Sequence, residues 1–213
     1  VYTASMHNYM LFFTQKGRCY WLKVYDIPEG TKNSKGRAIQ NLLSIDADDK
    51  VNAFIRVKKL DDKEFTLTHN LIFCTKNGIV KKTSLEAYSR PRQNGVNAII
   101  IRDDDRLIGV EMTDGNAEIL LANRNGRAIR FNERTVRPMG RMSTGVKGMT
   151  LDDGDDAVVG MVTIAADSEE TIMVVSEQGY GKRSVVDDYR ITNRGGKGVK
   201  TINVTDKTGK LVA

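Results

Sequence analysis

Apolar residues along this chain occur in short runs that are separated by polar turns, and they do not recur at helical spacing. One such run covers residues 119–121, and another, at 128–131, follows a polar turn that ends at Gly126. Two apolar runs joined by a glycine-ended turn are typical of a β-hairpin, because glycine adopts a positive φ at little cost. No stretch shows a convincing 3.6-residue period over three turns. The pattern therefore predicts an all-β protein.

This hairpin pattern occurs four times. The turns end at Gly17, Gly78, Gly126 and Gly179, which lie 61, 48 and 53 residues apart. A second glycine follows each of them by 17 or 19 residues, at Gly36, Gly95, Gly145 and Gly198. Repeats of about 50 residues with four short strands are typical of β-propeller blades, whereas a two-sheet sandwich does not require the same glycines to recur at this spacing. We predict one propeller-like array of four-stranded blades over 1–213, with repeats at approximately 1–60, 61–112, 113–164 and 165–213.

Composition adds expectations about cysteine chemistry and location. Cys19 and Cys74 each lie in an apolar run, without the spacing of a disulfide framework or a zinc site, so we expect two buried, reduced thiols. No apolar run reaches the roughly 18 to 20 residues of a spanning helix, and no signal-peptide pattern opens the chain. We therefore expect a soluble, cytoplasmic protein. Both ends fall in structured sequence, which indicates a piece of a longer protein.

The net charge of +6 is distributed unevenly within the repeat. The hairpin and loop windows 14–40, 75–98, 123–148 and 176–200 hold 24 Lys or Arg against 7 Asp or Glu, whereas the rest of the chain holds 9 against 20. Equivalent loops of stacked blades lie along one rim, so the windows predict a continuous basic stripe. Solvated loop charges are the simpler interpretation of a single basic loop, but the fourfold recurrence favours a surface for a polyanion.

A basic stripe on a curved rim suits a bent DNA duplex, because each neutralised phosphate releases counterions and no base needs to be contacted. We therefore predict binding of double-stranded DNA with weak sequence preference. We also expect that charge reversal at Arg130 and Arg183 together weakens DNA binding and leaves the fold intact. The predicted DNA-binding residues are Arg18, Lys23, Lys32, Lys35, Arg37, Lys81, Lys82, Arg90, Arg92, Arg127, Arg130, Arg137, Arg141, Lys147, Lys182, Arg183, Arg190, Arg194, Lys197 and Lys200.

Acidic residues collect in a different turn of the repeat. They are Asp46, Asp48 and Asp49, then Asp103, Asp104 and Asp105, then Asp152, Asp153, Asp155 and Asp156. The turns lack the spaced ligands and terminal Glu of a calcium loop, so we interpret them as solvated turns that keep DNA from that edge.

The sequence offers no constellation for catalysis. His7 and His69 occupy no equivalent repeat positions, and there is no nucleophile elbow or phosphate-binding loop. We predict no active site, metal, cofactor or small-molecule substrate for this chain. A protein-binding adaptor is the alternative, but it predicts aromatic and Met clusters in exposed loops, whereas the aromatic residues fall mainly within the strands.

Several runs identify a family. They are 23–28 (Lys-Val-Tyr-Asp-Ile-Pro), 77–83 (Asn-Gly-Ile-Val-Lys-Lys-Thr), 136–140 (Val-Arg-Pro-Met-Gly), 144–148 (Thr-Gly-Val-Lys-Gly) and 179–183 (Gly-Tyr-Gly-Lys-Arg). In these runs, and in their order over essentially the whole chain, the sequence closely resembles the C-terminal domain of the DNA gyrase A protein.

The resemblance implies a β-pinwheel, a propeller variant in which a strand is exchanged between adjacent blades. The family has about six blades, so the roughly four repeats here imply a chain that lacks part of the first blade and the last blades. It further implies DNA wrapping that supports ATP-dependent negative supercoiling, with the remainder of gyrase A and gyrase B as partners. ATP and magnesium are then used by other parts of the complex.

One departure from the family concerns its basic glycine-rich box in the first blade, which this chain lacks. The nearest match is 193–198 (Asn-Arg-Gly-Gly-Lys-Gly), which is either a degenerate copy that lets the backbone approach phosphates or a flexible loop with two charges. The related C-terminal domain of topoisomerase IV is the second resemblance, and the regularity of the four repeats favours gyrase.

Overall fold

The computed structural model describes residues 3–152, 154–166 and 168–213, and in this part of the chain the strands form four successive antiparallel sheets. In chain order the elements are β1 (Tyr9–Thr14), β2 (Arg18–Lys23), β3 (Val51–Val57), α1 (Lys63–Thr68), β4 (Asn70–Thr75), β5 (Ile79–Ser84), β6 (Val96–Asn97), β7 (Leu107–Thr113), β8 (Glu118–Asn123), β9 (Arg127–Asn132), β10 (Val146–Lys147), β11 (Val158–Ile164), β12 (Thr171–Val175), β13 (Gly181–Val185) and β14 (Val199–Lys200). Short 3-10 turns lie at Val24–Asp26, Ile39–Asn41, Leu85–Tyr88, Glu133–Thr135 and Val186–Asp188.

Each of the first three sheets is a four-stranded blade that takes its last strand from the next repeat. Blade 1 has the order β3-β1-β2-β6, blade 2 has β7-β4-β5-β10, and blade 3 has β11-β8-β9-β14. The strand β7 lies against β3 on one side and against β11 on the other, so the exchanged strands β6, β10 and β14 occupy the outer edges. The predicted all-β pinwheel is confirmed. Blade 4 has the described pair β12-β13 and a single bridge between Ser176 and Leu211.

Glycine is required twice in each exchange, once at the hairpin and once where the next repeat crosses it. Gly126 ends the hairpin turn of blade 3 with φ 77°, and a Cβ there would lie 2.5 Å from the carbonyl oxygen of Ile202. Gly198 precedes β14 with φ 75°, and a Cβ there would lie 2.2 Å from the carbonyl oxygen of Ala128. The recurrent glycine pair therefore marks the crossing of two repeats, because any side chain would push the exchanged strand away.

Apolar cores fill the spaces between neighbouring blades, because strand residues alternate between the two faces of a sheet. Between blades 1 and 2, Phe13, Phe73 and Tyr88 are fully buried, with ring centroids 5.4 to 6.1 Å apart. Ile72 packs with Phe131 between blades 2 and 3, and the core between blades 3 and 4 continues the series. Each blade is therefore held mainly by its neighbours.

The two cysteines belong to these cores. Cys19 and Cys74 are free and fully buried, and burial raises the pKa of both thiols well above the usual range. The expectation of buried, reduced thiols is confirmed.

Two local features were not predicted from the pattern. The helix α1 links blades 1 and 2, and the Asp62 carboxylate caps it by accepting a hydrogen bond from the Phe65 amide at 3.1 Å. At six residues the helix is too short to show a period. In the first repeat, Leu43 and Ile45 pack on Tyr20, on the face of blade 1 that is turned away from blade 2.

Candidate nucleic-acid interface

Three loops follow the outer edges of the blades. Residues 89–95, 137–145 and 190–198, here called the rim loops, each lead from the region of a 3-10 turn to an exchanged strand. The second rim loop is fixed where the Met139 amide donates to the Lys82 carbonyl oxygen at 2.7 Å, and the third where the Thr192 amide donates to that of Arg130 at 2.9 Å. Backbone hydrogen bonds thus hold the second and third rim loops beside the preceding blade.

Many of the predicted basic residues are exposed and have no partner among the described residues. Within the described residues, the following are exposed and make no ion pair or side-chain hydrogen bond: Lys32, Lys35, Arg37, Arg90, Arg92, Arg137, Lys147, Lys182, Arg183, Arg190 and Lys200. Most of them lie in the rim loops, on the exchanged strands β10 and β14, or in the exposed stretch 28–38 of the first repeat. Lys182 and Arg183 lie on β13. Arg141, in the second rim loop, is half-buried. Charges without partners are available to an anionic ligand.

A second group of predicted residues is half-buried and holds the rim together. Arg18 and Arg127 each directly follow a hairpin glycine and reach into the next repeat. Arg18 Nη2 donates to the Asn94 carbonyl oxygen at 2.7 Å, and Arg127 Nη1 donates to that of Gly198 at 3.3 Å. These arginines therefore position the ends of the first and third rim loops.

Three further predicted residues have partners within the protein. Lys23 donates to the His7 carbonyl oxygen at 3.1 Å and lies over the Tyr9 ring. Arg194 donates to the carbonyl oxygens of Thr135 and Lys147, both at 3.0 Å, so it ties the third rim loop to the segments on either side of the second. Lys197 is exposed and pairs with Asp152 at 2.8 Å, which lowers the pKa of that carboxyl. The loop 193–198 is thus anchored by its own basic residues.

Lys81 and Lys82 do not reach the predicted rim. Both are buried, with 0% and 6% of their surface exposed. Lys82 Nζ donates to the Glu133 carbonyl oxygen at 3.0 Å and lies 3.6 Å from its carboxylate. Lys81 Nζ donates to the carbonyl oxygens of Ala98 and Arg141. The expectation that these lysines join the surface stripe is corrected, because the neighbouring blade and the exchanged segments cover them.

Arg130 is also an internal residue. Its side chain is 11% exposed, its Nε lies 2.5 Å from Glu118, and its Nη1 donates to the carbonyl oxygens of Val186 and Tyr189 in the fourth repeat. Reversing this charge would place a carboxylate beside Glu118 and leave two buried acceptors unpaired. The expectation that Arg130 lies on the surface stripe is therefore wrong, and we now expect its reversal to destabilise the fold, whereas Arg183, on β13, is exposed.

A shared position explains these buried cations. Trp21, Lys82 and Arg130 are each the fourth residue after a hairpin glycine, and each donates to a carbonyl oxygen in or next to the 3-10 turn of the following repeat. For Trp21 the donor is Nε1 and the acceptor is Tyr88, at 3.0 Å. The constant spacing is a signal that could have revealed this link between blades, although the residue type changes from repeat to repeat.

The acidic turns are only partly solvated. Asp49, Asp105 and Asp156 each accept a hydrogen bond from a backbone amide in the hairpin turn of the same repeat, at 3.1, 3.0 and 3.3 Å. Asp49 and Asp156 are buried, which corrects the interpretation of every turn carboxylate as solvated. The neighbouring Asp46, Asp48, Asp103, Asp104 and Asp155 are exposed, and Asp153 lies outside the described residues. One aspartate in each of these turns thus fixes the hairpin that carries the first basic residues.

Two shallow clefts open among these basic residues. One, of about 370 Å³, is lined by residues that include Arg190 and Lys197, and the other, of about 270 Å³, includes Lys182 and Lys200. Among the described residues, no group of three His, Cys, Asp or Glu side chains could hold a metal ion. No helix in that part of the chain is long and apolar enough to cross a membrane.

The exchanged outer strands and the succession of similar blades define the class of this chain, which is a strand-exchanging β-propeller with a basic outer rim. The family model described as the DNA gyrase C-terminal domain, β-propeller, matches residues 8–58, 69–114, 117–165 and 170–213. The chain belongs to this family.

Individual relatives agree with this assignment. The gyrase A protein of Staphylococcus epidermidis strain ATCC 12228 is 46% identical over 210 residues, which cover 99% of this chain and 23% of the relative. A crystal structure of the C-terminal domain of DNA topoisomerase IV matches 97% of this chain and 62% of that chain, with 29% identity and a TM-score of 0.83. A DNA gyrase A C-terminal domain matches 98% of this chain and 65% of that chain, with 23% identity and a TM-score of 0.79, and this likeness concerns the fold. The chain thus spans about a quarter of the length of the curated relatives it matches.

Proposed function

We propose that this chain binds double-stranded DNA along its rim, with little sequence preference, and holds the duplex bent around the blades. The observation that carries the proposal is the recurrence, at equivalent places of successive repeats, of exposed basic residues that have no partner in the described part of the chain. Arg90, Arg137 and Arg190 lie in the three rim loops, and Lys147 and Lys200 lie on exchanged strands. Because the blades follow one another around the array, these charges form a curved path.

The chemistry of this path suits phosphates better than bases. Lys and Arg side chains that neutralise phosphates release condensed counterions, and this gain does not depend on sequence. Smooth bending of a 20 to 30 base-pair site costs on the order of 1 to 6 kcal/mol, which many phosphate contacts offset. The described rim consists of loops and two-residue strands, whereas base-specific readout in the major groove commonly uses a helix or a β-ribbon.

The relatives of this chain support a place for it in a larger assembly. Their name, which is that of the A protein of DNA gyrase, supports a role within a gyrase complex, in which wrapping by this domain serves the ATP-driven introduction of negative supercoils. We assign strand cleavage, magnesium binding and ATP hydrolysis to other parts of that complex, which include gyrase B. A role in binding bacterial DNA also implies that the protein lies in the cytoplasm.

Duplex affinity of charge variants tests the proposal. In the rim variant, Arg90, Arg137 and Lys147 are replaced by Ala, and the control replaces the exposed Lys58 and Lys63, which lie outside the rim, by Ala. We expect the rim variant to bind random-sequence duplexes of about 40 base pairs at least tenfold more weakly at constant salt, and the control to bind like the wild type. Equal losses in the two variants, or strong differences between duplexes of different sequence, would contradict a rim that reads the DNA backbone.

A further inference from the structure

Lys81 is a buried lysine without a carboxylate partner among the described residues. Its Nζ donates to the carbonyl oxygen of Ala98 at 2.6 Å and to that of Arg141 at 2.9 Å, and lies 5.5 Å from the centre of the Phe73 ring. Buried amines are normally neutralised by an acid, since an isolated ammonium is costly to remove from water. Here two backbone carbonyl oxygens and the face of an aromatic ring stand where an acidic partner would be expected.

The two acceptors belong to different exchanged segments. Ala98 directly follows β6, which completes blade 1, and Arg141 lies in the second rim loop, which leads to β10 on blade 2. The same segments meet again where the Ile100 amide donates to the Ser143 carbonyl oxygen at 3.1 Å. The Lys81 amine therefore joins two consecutive stretches of the rim from the inside.

We propose that Lys81 is a positioning residue for the second rim loop: its ammonium holds Arg141 and the neighbouring Arg137 where a duplex passes, and DNA binding is accompanied by proton uptake at this amine. The proposal rests on the proposed function. Lys81 itself does not touch the DNA, because it is fully buried.

The surroundings of the amine explain the coupling. Burial, and then the Arg141 guanidinium, lower the pKa of Lys81 to about 7. Among the described residues, Tyr88, whose hydroxyl donates to the same Ala98 oxygen, and the Cys19 thiol, which interacts with Tyr88, are the other ionisable groups here, and burial raises the pKa of both far above neutrality. A phosphate that pairs with Arg141 removes part of the positive potential and favours the ammonium form of Lys81.

The third blade contains a natural comparison for this position. Ile129 occupies the place of Lys81, three residues after the hairpin glycine, and is buried. There the next rim loop is tied down differently, by Arg194. An apolar side chain is therefore compatible with the fold at this position, which makes Lys81→Met a usable variant.

The pH dependence of duplex binding tests the proposal. Affinity for a random 40 base-pair duplex is measured at constant salt from pH 6 to pH 9 for the wild type, Lys81→Met and Lys147→Met, the last of which removes an exposed rim charge. A rise of one unit in the pKa of Lys81 on binding corresponds to a loss of about tenfold in wild-type affinity across this range. We expect Lys81→Met to bind more weakly at pH 6 and to lack this component, and Lys147→Met to be weaker at every pH with the wild-type slope. A Lys81→Met protein that keeps the wild-type pH dependence would overturn the proposal.

Two further measurements cover the cases in which Lys81→Met does not fold or the wild type does not bind DNA. If Lys81→Met does not fold, the Lys81 side-chain NMR signal of the wild type decides: a pKa near 7 that rises when duplex is added supports the proposal, and a pKa near 10 or one unmoved by duplex refutes it. If the wild type does not bind DNA, the proposed function and the proton uptake both fail. The positioning role is then judged by hydrogen exchange of the Met139 amide, which should be at least threefold faster in Lys81→Met and, if unchanged, refutes it.

Discussion

Lys82 of blade 2 and Glu133 of the third repeat form a buried ion pair, with 3.6 Å between Nζ and Oε2, while the same Nζ donates to the Glu133 carbonyl oxygen at 3.0 Å. The carboxylate also accepts hydrogen bonds from the Thr113 hydroxyl and the Ala117 amide, at 2.9 and 2.8 Å. This network fixes where the third repeat leaves its strand β9 and turns toward the second rim loop. These charged groups are therefore buried between two blades, where they are inaccessible to DNA.

Removal of one partner of this pair should destabilise the fold strongly. Lys82→Met leaves the buried Glu133 carboxylate without its cation, so we expect the free energy of unfolding to fall by about 3 to 5 kcal/mol. Urea denaturation of Lys82→Met and of the exposed control Lys63→Met gives the comparison, and a loss below about 1 kcal/mol for Lys82→Met would show that the pair contributes little.

Charge reversal should separate the two arginines that the sequence grouped together. Arg130→Glu faces Glu118 and should lower the free energy of unfolding by about 3 kcal/mol or more. Arg183→Glu, at an exposed site, should change stability by less than about 0.5 kcal/mol and lower the salt dependence of duplex binding by roughly one phosphate contact. Thermal or urea unfolding of each single variant checks the first claim, and equal stabilities would contradict the internal role of Arg130.

The second glycine of a repeat should be irreplaceable only where it contacts the preceding repeat, as Gly198 does. In Gly198→Ala a Cβ would clash with the Ala128 carbonyl oxygen at a positive φ, so we expect a loss of about 2 kcal/mol or more and weakened pairing of β14. Gly36 is its counterpart in the first repeat, and a Cβ there meets nothing within 4 Å. Gly36→Ala should therefore be neutral, and similar melting temperatures for the two variants would contradict the crossing constraint.

Stability should rise with pH through the influence of Lys81. The pKa of this amine is lowered from 10.5 to about 7 in the folded protein, so between these values the unfolded chain binds a proton that the folded protein does not. The free energy of unfolding then increases with pH, by at most about 1.4 kcal/mol per pH unit. The difference in stability between the wild type and Lys81→Met, measured at pH 7, 8 and 9, should grow in favour of the wild type, and a constant difference would show that Lys81 does not titrate in this range.

The sequence predicts the fold of this chain better than it predicts the location of its charges. Hairpin turns depend on local backbone geometry, which the sequence reveals through their glycines. The second glycine is visible because it recurs at a nearly constant offset, although the contact that requires it lies between two repeats. The burial of Lys81, Lys82 and Arg130 depends on a neighbouring blade. Two adjacent lysines in a strand do not indicate by themselves that another blade covers their side chains. Asp49 was misjudged for the same reason, because its amide donor at Lys16 lies 33 residues away along the chain.

The salt dependence of duplex affinity tests whether the rim binds DNA through its phosphates. For the wild-type chain and a random duplex of about 40 base pairs, the logarithm of the binding constant is plotted against the logarithm of salt concentration, with a slope of about −0.9 per phosphate contacted. A curved rim that engages six or more phosphates predicts a slope of about −5 or steeper, nearly the same for duplexes of different sequence. A slope near zero, or no binding at low salt, would contradict a DNA-binding rim and favour a surface for a protein partner.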